Sequence, residues 1–386
     1  MTGGLGKGYG SGGSYFDSDK LDYPGVPYSA LDFNSCDRCS TSSCNIEDYS
    51  DSNQVRYCRL LGLKDLNQDK EYVRQKIADF LNHLTSIGVA GFRVDAGKHM
   101  LPENLANIYA RLNNLNIQWF TSGAKPFIFH EVIDFGSDAI PTSQYTGIGR
   151  VTEFKYGIYL GRVFRHQDGL TFLENFGQPW SMMNDGDALV FIDNHDNQRG
   201  HGGGGDNVIL THTNSRLYKM ATAFMLAWPY GVPRVMSSYA FHSDWQGPPS
   251  DKENNTLTVK INDDLTCADG WICEHRWRQI YNMARFGKYA GDAGVNDWWS
   301  GHTHQIAFSR GDRAFIAFNN EHFDLKATIQ TGLAPGQYCD IISGNKENGK
   351  CTGKIITVNE DRKVDLVLSD WLEDSMVAIY VDSKIN

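Results

Sequence analysis

Between Asp69 and Gly88 the apolar positions Val73, Ile77, Phe80, Leu81 and Leu84 recur at helical spacing, so they share one face of a helix. Gly88 supplies a stop, and the segment VAGFRVDAG that follows predicts a buried strand. The unit repeats: Pro102 opens a helical stretch with Leu105, Ile108, Tyr109 and Leu112 on one face, and PFIFHEV predicts the next strand. Further on, ALVFIDNHD and PRVMSSY are short apolar runs flanked by helical stretches. Continuous apolar strands separated by helices predict a parallel sheet covered on both faces, either an α/β barrel or a doubly wound sheet.

Two regions break this pattern. Residues 1–66 are rich in Gly, Ser, Asp, Tyr and Cys with little periodicity, which predicts an irregular small domain or inserted segment. After residue 297, HQIAFSR and RAFIAFN flank Gly311-Asp312, a two-residue hairpin signal, and more strands follow without helices. The expected division is therefore 1–66 irregular, 67–297 α/β and 298–386 antiparallel all-β.

Composition narrows the function classes. With 386 residues, 41% of them hydrophobic and 12% aromatic, the chain can bury a large core in two or three domains. A net charge of −10 without a basic run argues against a nucleic-acid or anionic-membrane partner, because those affinities rest on clustered Lys and Arg. No stretch of about 18 apolar residues could span a bilayer, and the opening MTGGLGKGYGSGG lacks a signal-peptide layout. The eight cysteines fall in local groups: Cys36, Cys39, Cys44 and Cys58, then Cys267 with Cys273, then Cys339 with Cys351. That usage suits a disulfide-bearing secreted protein. A zinc reading of Cys36-x-x-Cys39 lacks the second CxxC or His pair that would complete a tetrahedral set. Asn254-Asn255-Thr256 is a triplet that accepts a glycan in a secretory pathway.

Carboxylates stand where predicted strands end: Asp95 in GFRVDAGKH, Glu131 in FIFHEVID and Asp196 in FIDNHDNQRGHG. In parallel α/β barrels the active site is built at the C-terminal ends of the strands. A retaining glycosidase needs one carboxylate as nucleophile and one carboxylic acid as proton donor, and a further acid can stabilise the developing positive charge. Arg93, two residues before Asp95, lies on the same strand face and would hold Asp95 ionised. A single acid at a strand end is more often a helix cap or a solvated loop residue.

The combination is what changes the reading. These motifs, in this order, resemble the characteristic regions of animal-type α-amylases of glycoside hydrolase family 13. The resemblance extends through VPYSALDFN, QVRYCRLLGLKDL, GRVTEFKYG, RLYKMATAFMLAWPYG, CEHRWRQI and TGLAPGQYCDIISG. It implies a (β/α)8 barrel with an irregular inserted domain and a C-terminal antiparallel β-sandwich, and endo-hydrolysis of α-1,4-linked glucan in starch, glycogen and maltooligosaccharides. Asp95 matches the nucleophile, Glu131 the acid/base and Asp196 the stabilising acid. His195 and Lys98 match residues that bind substrate hydroxyls, and GHGGGG, with His201, matches a mobile loop beside the cleft. Tyr49 and Ile133 would pack on sugar rings.

The resemblance also implies a calcium ion, with Asp65 as carboxylate ligand and Arg56 and His99 as backbone-carbonyl ligands. A further Asn ligand of the family falls just upstream of MTGG, so calcium dependence is expected to be weak. For a chloride ion Arg93 and Asn194 match two ligands. The third is an arginine in many members, and YAFHSDW has none, so a bare salt bridge from Arg93 is the rival. Family pairing implies the disulfides Cys267–Cys273, Cys339–Cys351 and Cys39–Cys58, and proximity then pairs Cys36 with Cys44. Five barrel strands are readable, ending near residues 95, 132, 154, 194 and 237, so the first three strand–helix units are expected to be absent and Met1 to be an internal methionine. A secreted monomer is expected. Two rivals are a catalytically silent carbohydrate-binding or allergen-like relative, against which the intact acids argue, and an α-glucosidase or trehalose-handling relative, against which CEHRWRQI and GHGGGG argue.

Overall fold

The computed structural model describes residues 6–205 and 207–385; Met1, expected to be an internal methionine, lies outside them. The chain separates into two compact units, Met1–Thr152 and Glu153–Asn386.

In the first unit, residues up to 66 form short elements only, among them a hairpin of Lys7–Tyr9 with Tyr15–Asp17 and a short helix Ser52–Tyr57. Its own core is small: Tyr23, Tyr28, Phe33, Leu66 and Val73. Two disulfides, Cys36–Cys44 and Cys39–Cys58, supply the cross-links that so few apolar contacts need. Helix α1 (Glu71–Ser86) follows, and the chain turns at Gly88, whose φ of +107° suits a residue without Cβ. Strands β1 (Gly91–Val94), β2 (Phe127–His130) and β3 (Arg150–Thr152) are parallel, in register Gly91↔Phe127 and Phe129↔Arg150. Helix α2 (Pro102–Tyr109) connects the first two and is shorter than the apolar spacing predicts. Leu112 lies beyond its end yet is buried, so an apolar position at helical spacing marks core here without marking helix.

In the second unit, α3 (Phe154–Phe164) precedes β4 (Ala188–Val190), and α4 (Ser215–Ala227) precedes β5 (Val232–Pro233). The two strands are parallel, with Leu189 opposite Val232. PRVMSSY, expected to be a strand, leaves the ladder after Pro233; Arg234 N–H makes one more bond, to the Val190 carbonyl at 2.8 Å. Helix α5 (Arg278–Ala290) then leads into an antiparallel sheet of β6 (Val295–Ser300), β7 (Gln305–Arg310), β8 (Ala314–Asn319) and, after the strands that face it, β13 (Met376–Tyr380). The connection at Gly311 is a three-residue loop rather than two, since Arg310 pairs with Ala314.

Strands β7, β8 and β13 of this sheet are buried on both faces. Ile306, Phe308, Ile316, Phe318 and Ala378 pack with α4 and α5, whereas Ala307, Phe315, Ala317, Val377 and Ile379 pack against β9 (Leu325–Gln330), β10 (Gly336–Cys339), β11 (Ile355–Val358) and β12 (Lys363–Leu368). That is why β7 and β8 read as unbroken apolar runs while β12, with one face in solvent, alternates buried and exposed. The disulfides Cys267–Cys273 and Cys339–Cys351 are both formed, so all four pairings are as expected. Among the described residues no helix is long and apolar enough to cross a membrane.

Candidate active site

Strand β1 ends in Val94, and the next residue, Asp95, leaves the ladder with its side chain 63% exposed. Arg93 points to the same side, as a two-residue separation on a strand requires. Its guanidinium pairs with Asp95 through Nη1 and reaches Glu131 Oε1 through Nη2 at 3.4 Å. Glu131 follows β2 and is the more enclosed acid, 11% exposed. Its second oxygen, Oε2, accepts the Ala96 N–H at 2.8 Å, and its backbone is clamped by Glu131 N–H to Val94 O and Gly97 N–H to Glu131 O, each 2.9 Å. Ala96 adopts a left-handed conformation, φ +49°, which turns its N–H onto that carboxylate. One arginine therefore bridges two acids carried by neighbouring strands, and the salt bridge that rivals chloride at Arg93 is present.

Three further expected residues come together in this unit. Lys98 Nζ lies 5.8 Å from the centre of the Tyr49 ring and donates to the Ile133 carbonyl at 3.2 Å, with Asp138 at 3.5 Å. Tyr49, 49% exposed, and Lys98 offer a ring face and an ammonium side by side, a pairing suited to a hydroxyl-rich ligand.

Asp65 and His99 line a cavity of about 250 Å³ with Cys58, Gln68, Asp95 and Met100. Burial pushes the Asp65 carboxyl up to about 6, against the hydrogen bond it accepts from Asn34 Nδ2 at 2.7 Å. A carboxylate so desolvated is one that a bound cation would compensate. The His99 ring is occupied elsewhere, Nδ1–H donating to Val55 O at 2.9 Å, and the Arg56 guanidinium binds Met100 O and Gln144. The Arg56 guanidinium is thereby committed, and the backbone carbonyls of Arg56 and His99 are oxygen donors of the kind a hard cation takes. Among the described residues no group of three or more His, Cys, Asp or Glu side chains is placed to hold a metal.

In the second unit, Asp196 sits in a turn fixed by Asn194, whose Oδ1 accepts from Asp196 N at 3.0 Å and Asn197 N at 2.8 Å; Asn197 Oδ1 accepts from Asn194 N in return. His195 Nε2 lies 3.4 Å from Asp196 Oδ2. The His201 N–H binds the Asp196 carbonyl, and its ring faces Asp244 at 3.3 Å and Trp245 at 5.5 Å. Gly202 to Gly205 all have positive φ, so the loop after His201 requires the glycines that composition alone would assign to a linker.

Asn194 spends its oxygen on this turn, which leaves its NH2 as the group that could donate to an anion. It lines a cavity of about 350 Å³ with Asp193, His195 and Arg234. Arg234, in PRVMSSY, stands at the end of an apolar run as Arg93 does. Beneath this turn Asp193 is buried and its carboxyl is pushed well above the usual range by burial, with Glu274 nearby adding to the effect; Tyr218 O–H donates to it at 3.0 Å.

Residues 298–382 match the family model described as the α-amylase C-terminal all-beta domain. Over 384 residues the chain is 54% identical to an α-amylase of Oryzias latipes and 51% identical to alpha-amylase 1B of Homo sapiens, in each case across 97% of this chain and 75% of the relative. A mutant of α-amylase I from Eisenia fetida, solved in complex with maltohexaose, superposes with a TM-score of 0.94 at 47% identity, covering 99% of this chain and 79% of that one.

Proposed function

The chain belongs to the α-amylase family, and we propose that Asp95, Glu131 and Asp196 carry its retaining hydrolysis of α-1,4-glucosidic bonds in starch, glycogen and maltooligosaccharides. The observation that carries the assignment is Arg93 bridging Asp95 and Glu131. In this mechanism Asp95 attacks the anomeric carbon while Glu131 protonates the departing glycosidic oxygen. The covalent glucosyl ester on Asp95 is then hydrolysed by a water whose proton Glu131 takes back, so the configuration is retained. The Ala96 N–H fixes one oxygen of Glu131 and leaves the carboxyl a single orientation. Arg93 keeps Asp95 aimed, and Asp196 offers negative charge to the oxocarbenium-like transition state.

Lys98, Tyr49 and Ile133 are proposed to bind sugar in this reading, with His195 and His201 on the turn that carries Asp196. Calcium would be held by the Asp65 carboxylate and the carbonyls of Arg56 and His99. Its contribution would be structural, tying the irregular segment to the strand ends. A chloride would draw on Asn194 and Arg93, with Arg234 supplying the third, cationic ligand. The domain reading is 1–66 as the inserted domain, 67–297 as part of a (β/α)8 barrel and 298–386 as the β-sandwich. Four disulfides and the likeness to animal amylases support a secreted, monomeric protein.

The test is Asp95→Asn. Turnover on soluble starch should fall by several orders of magnitude while the far-UV spectrum and the melting curve stay close to wild type, because the change removes a nucleophile but no volume. Activity within tenfold of wild type would remove Asp95 from the nucleophile's role. Glu131→Gln should lose starch cleavage in the same way but keep activity on a substrate whose leaving group needs no proton.

A further inference from the structure

Asn254-Asn255-Thr256 is the only Asn-x-Ser/Thr triplet in the chain, and it contributes no residue to the site proposed for hydrolysis. It sits at the tip of an exposed loop closed by the bridge Ser250↔Thr256. Asp251 staples that loop: its Oδ1 accepts from Glu253 N at 2.9 Å and Asn255 N at 2.8 Å, and its Oδ2 accepts from Asn255 Nδ2 at 3.0 Å. Asn255 therefore does the side-chain work of the turn. Asn254 contributes its left-handed backbone, φ +63°, which Asn tolerates well, and its N–H to Asp251 O at 3.1 Å. Among the described residues the Asn254 side-chain amide and the Thr256 hydroxyl have no hydrogen-bond partner, and all of 251–265 is exposed. A turn explains an Asn at 254 but not a Thr at 256.

Beside the triplet runs an aliphatic row at alternate positions: Leu257 is 44% exposed, Val259 37% and Ile261 50%. Exposed apolar residues at period two in an extended segment are an aggregation hazard unless something covers them.

We propose that Asn254 is the acceptor of an N-linked glycan and that this glycan is the hydrophilic cover of the Leu257–Val259–Ile261 row. In the transfer the Asn254 amide nitrogen forms the bond to the anomeric carbon of an oligosaccharide carried on a polyprenyl diphosphate. The bond from that carbon to the diphosphate oxygen breaks, the polyprenyl diphosphate leaves, and the amide proton passes to the transferase's base. The proposal rests on the secretory reading, since the donor and its transferase reside in that pathway.

The experiment places the 386-residue chain behind a supplied signal peptide in secreting eukaryotic cells and maps the peptide containing Asn254 by mass spectrometry. Wild type and Thr256→Ser should carry a glycan whose enzymatic release converts Asn254 to Asp, and Asn254→Gln and Thr256→Ala should carry none. An unmodified Asn254 in the secreted wild type, beside an occupied control glycoprotein from the same cells, overturns the acceptor site. Because the leader is supplied, that failure is separate from failure of the secretory reading, which a cytosolic location of the natural protein would show. For the cover, native Asn254→Gln should bind several-fold more of an apolar fluorescent dye than glycosylated wild type. Adding Val259→Thr and Ile261→Thr to Asn254→Gln should bring the signal back down. Equal dye binding in glycosylated wild type and Asn254→Gln, or no fall on adding the threonines, overturns the covering role.

Discussion

His130, the last residue of β2 and the neighbour of Glu131, is fully buried, and its bonds fix its protonation state. Nδ1 faces the Arg150 carbonyl at 3.1 Å and must therefore donate; Nε2 then accepts from the Tyr109 hydroxyl at 2.8 Å, which describes a neutral ring. Burial pushes its pKa down to about 4 from an ordinary 6.5, only partly offset by the Arg150 carbonyl. A lowered cationic pKa means the unfolded chain takes up the proton first, so the stabilisation is complete above about pH 6.5 and is lost as pH falls toward 4. With those two values the loss at pH 5 is about 2 kcal/mol, a large share of the margin of a typical domain. His130→Gln preserves an acceptor for Tyr109 and a donor for Arg150 but does not titrate. Urea midpoints of both proteins at pH 7.5 and pH 5 measure the effect. The buried carboxyls titrate in both, so the wild type should lose about 2 kcal/mol more than the variant on acidification. Equal losses would show that the His130 ring is not held neutral by its burial, and the argument would fail.

Other perturbations test other parts of the fold. A Cβ at Gly157 of α3 would meet the Ile192 carbonyl and come within 2.9 Å of the Phe191 carbonyl, so Gly157→Ala should cost about 1–3 kcal/mol and, by shifting the chain just before Asn194, lower starch turnover as well. Thermal melting and a starch assay on the same sample check both effects. Arg310 donates to the carbonyls of Ala227 at 2.6 Å, Gly291 at 2.9 Å and Ala293 at 2.7 Å, capping the ends of α4 and α5 from inside the sheet. Arg310→Met should destabilise by about 3 kcal/mol or more, read as a lower urea midpoint, because buried carbonyls lose their donors. Calcium should raise the melting temperature only slightly and a chelator reverse that small rise, the effect following RT ln(1 + [L]/Kd) for a weakly held ion. Asp65→Asn should abolish the difference, and an undiminished calcium response in that variant would exclude Asp65 as a ligand.

Local features were legible in the sequence because they depend on neighbours along the chain. Helix α1, its stop at Gly88 and the strand after it follow from spacing and one glycine. The Arg93–Asp95 pair follows from the period of a strand, whereas three of the disulfide pairings come from the family resemblance and only Cys36–Cys44 from proximity. The acids at the strand ends belong to the same class, since a strand end and a carboxylate are both visible as letters. What the tertiary structure decided involves residues far apart in sequence or a face that is covered from outside. Glu131 meets Arg93 and Ala96 only because β1 and β2 pair in parallel, and Lys98 meets Tyr49 and Ile133 across separations no periodicity reports. Arg234 reaches the cavity of Asn194 because β5 aligns with β4, a neighbour relation that no single stretch of sequence carries. The double burial of β7 and β8 is likewise set by helices on one face and strands on the other, and the neutral ring of His130 by a tyrosine and a carbonyl from different segments. Chain connectivity fixes only the geometry within an element. Which side chains share a cavity, and which of them lose their water, is fixed by packing between elements.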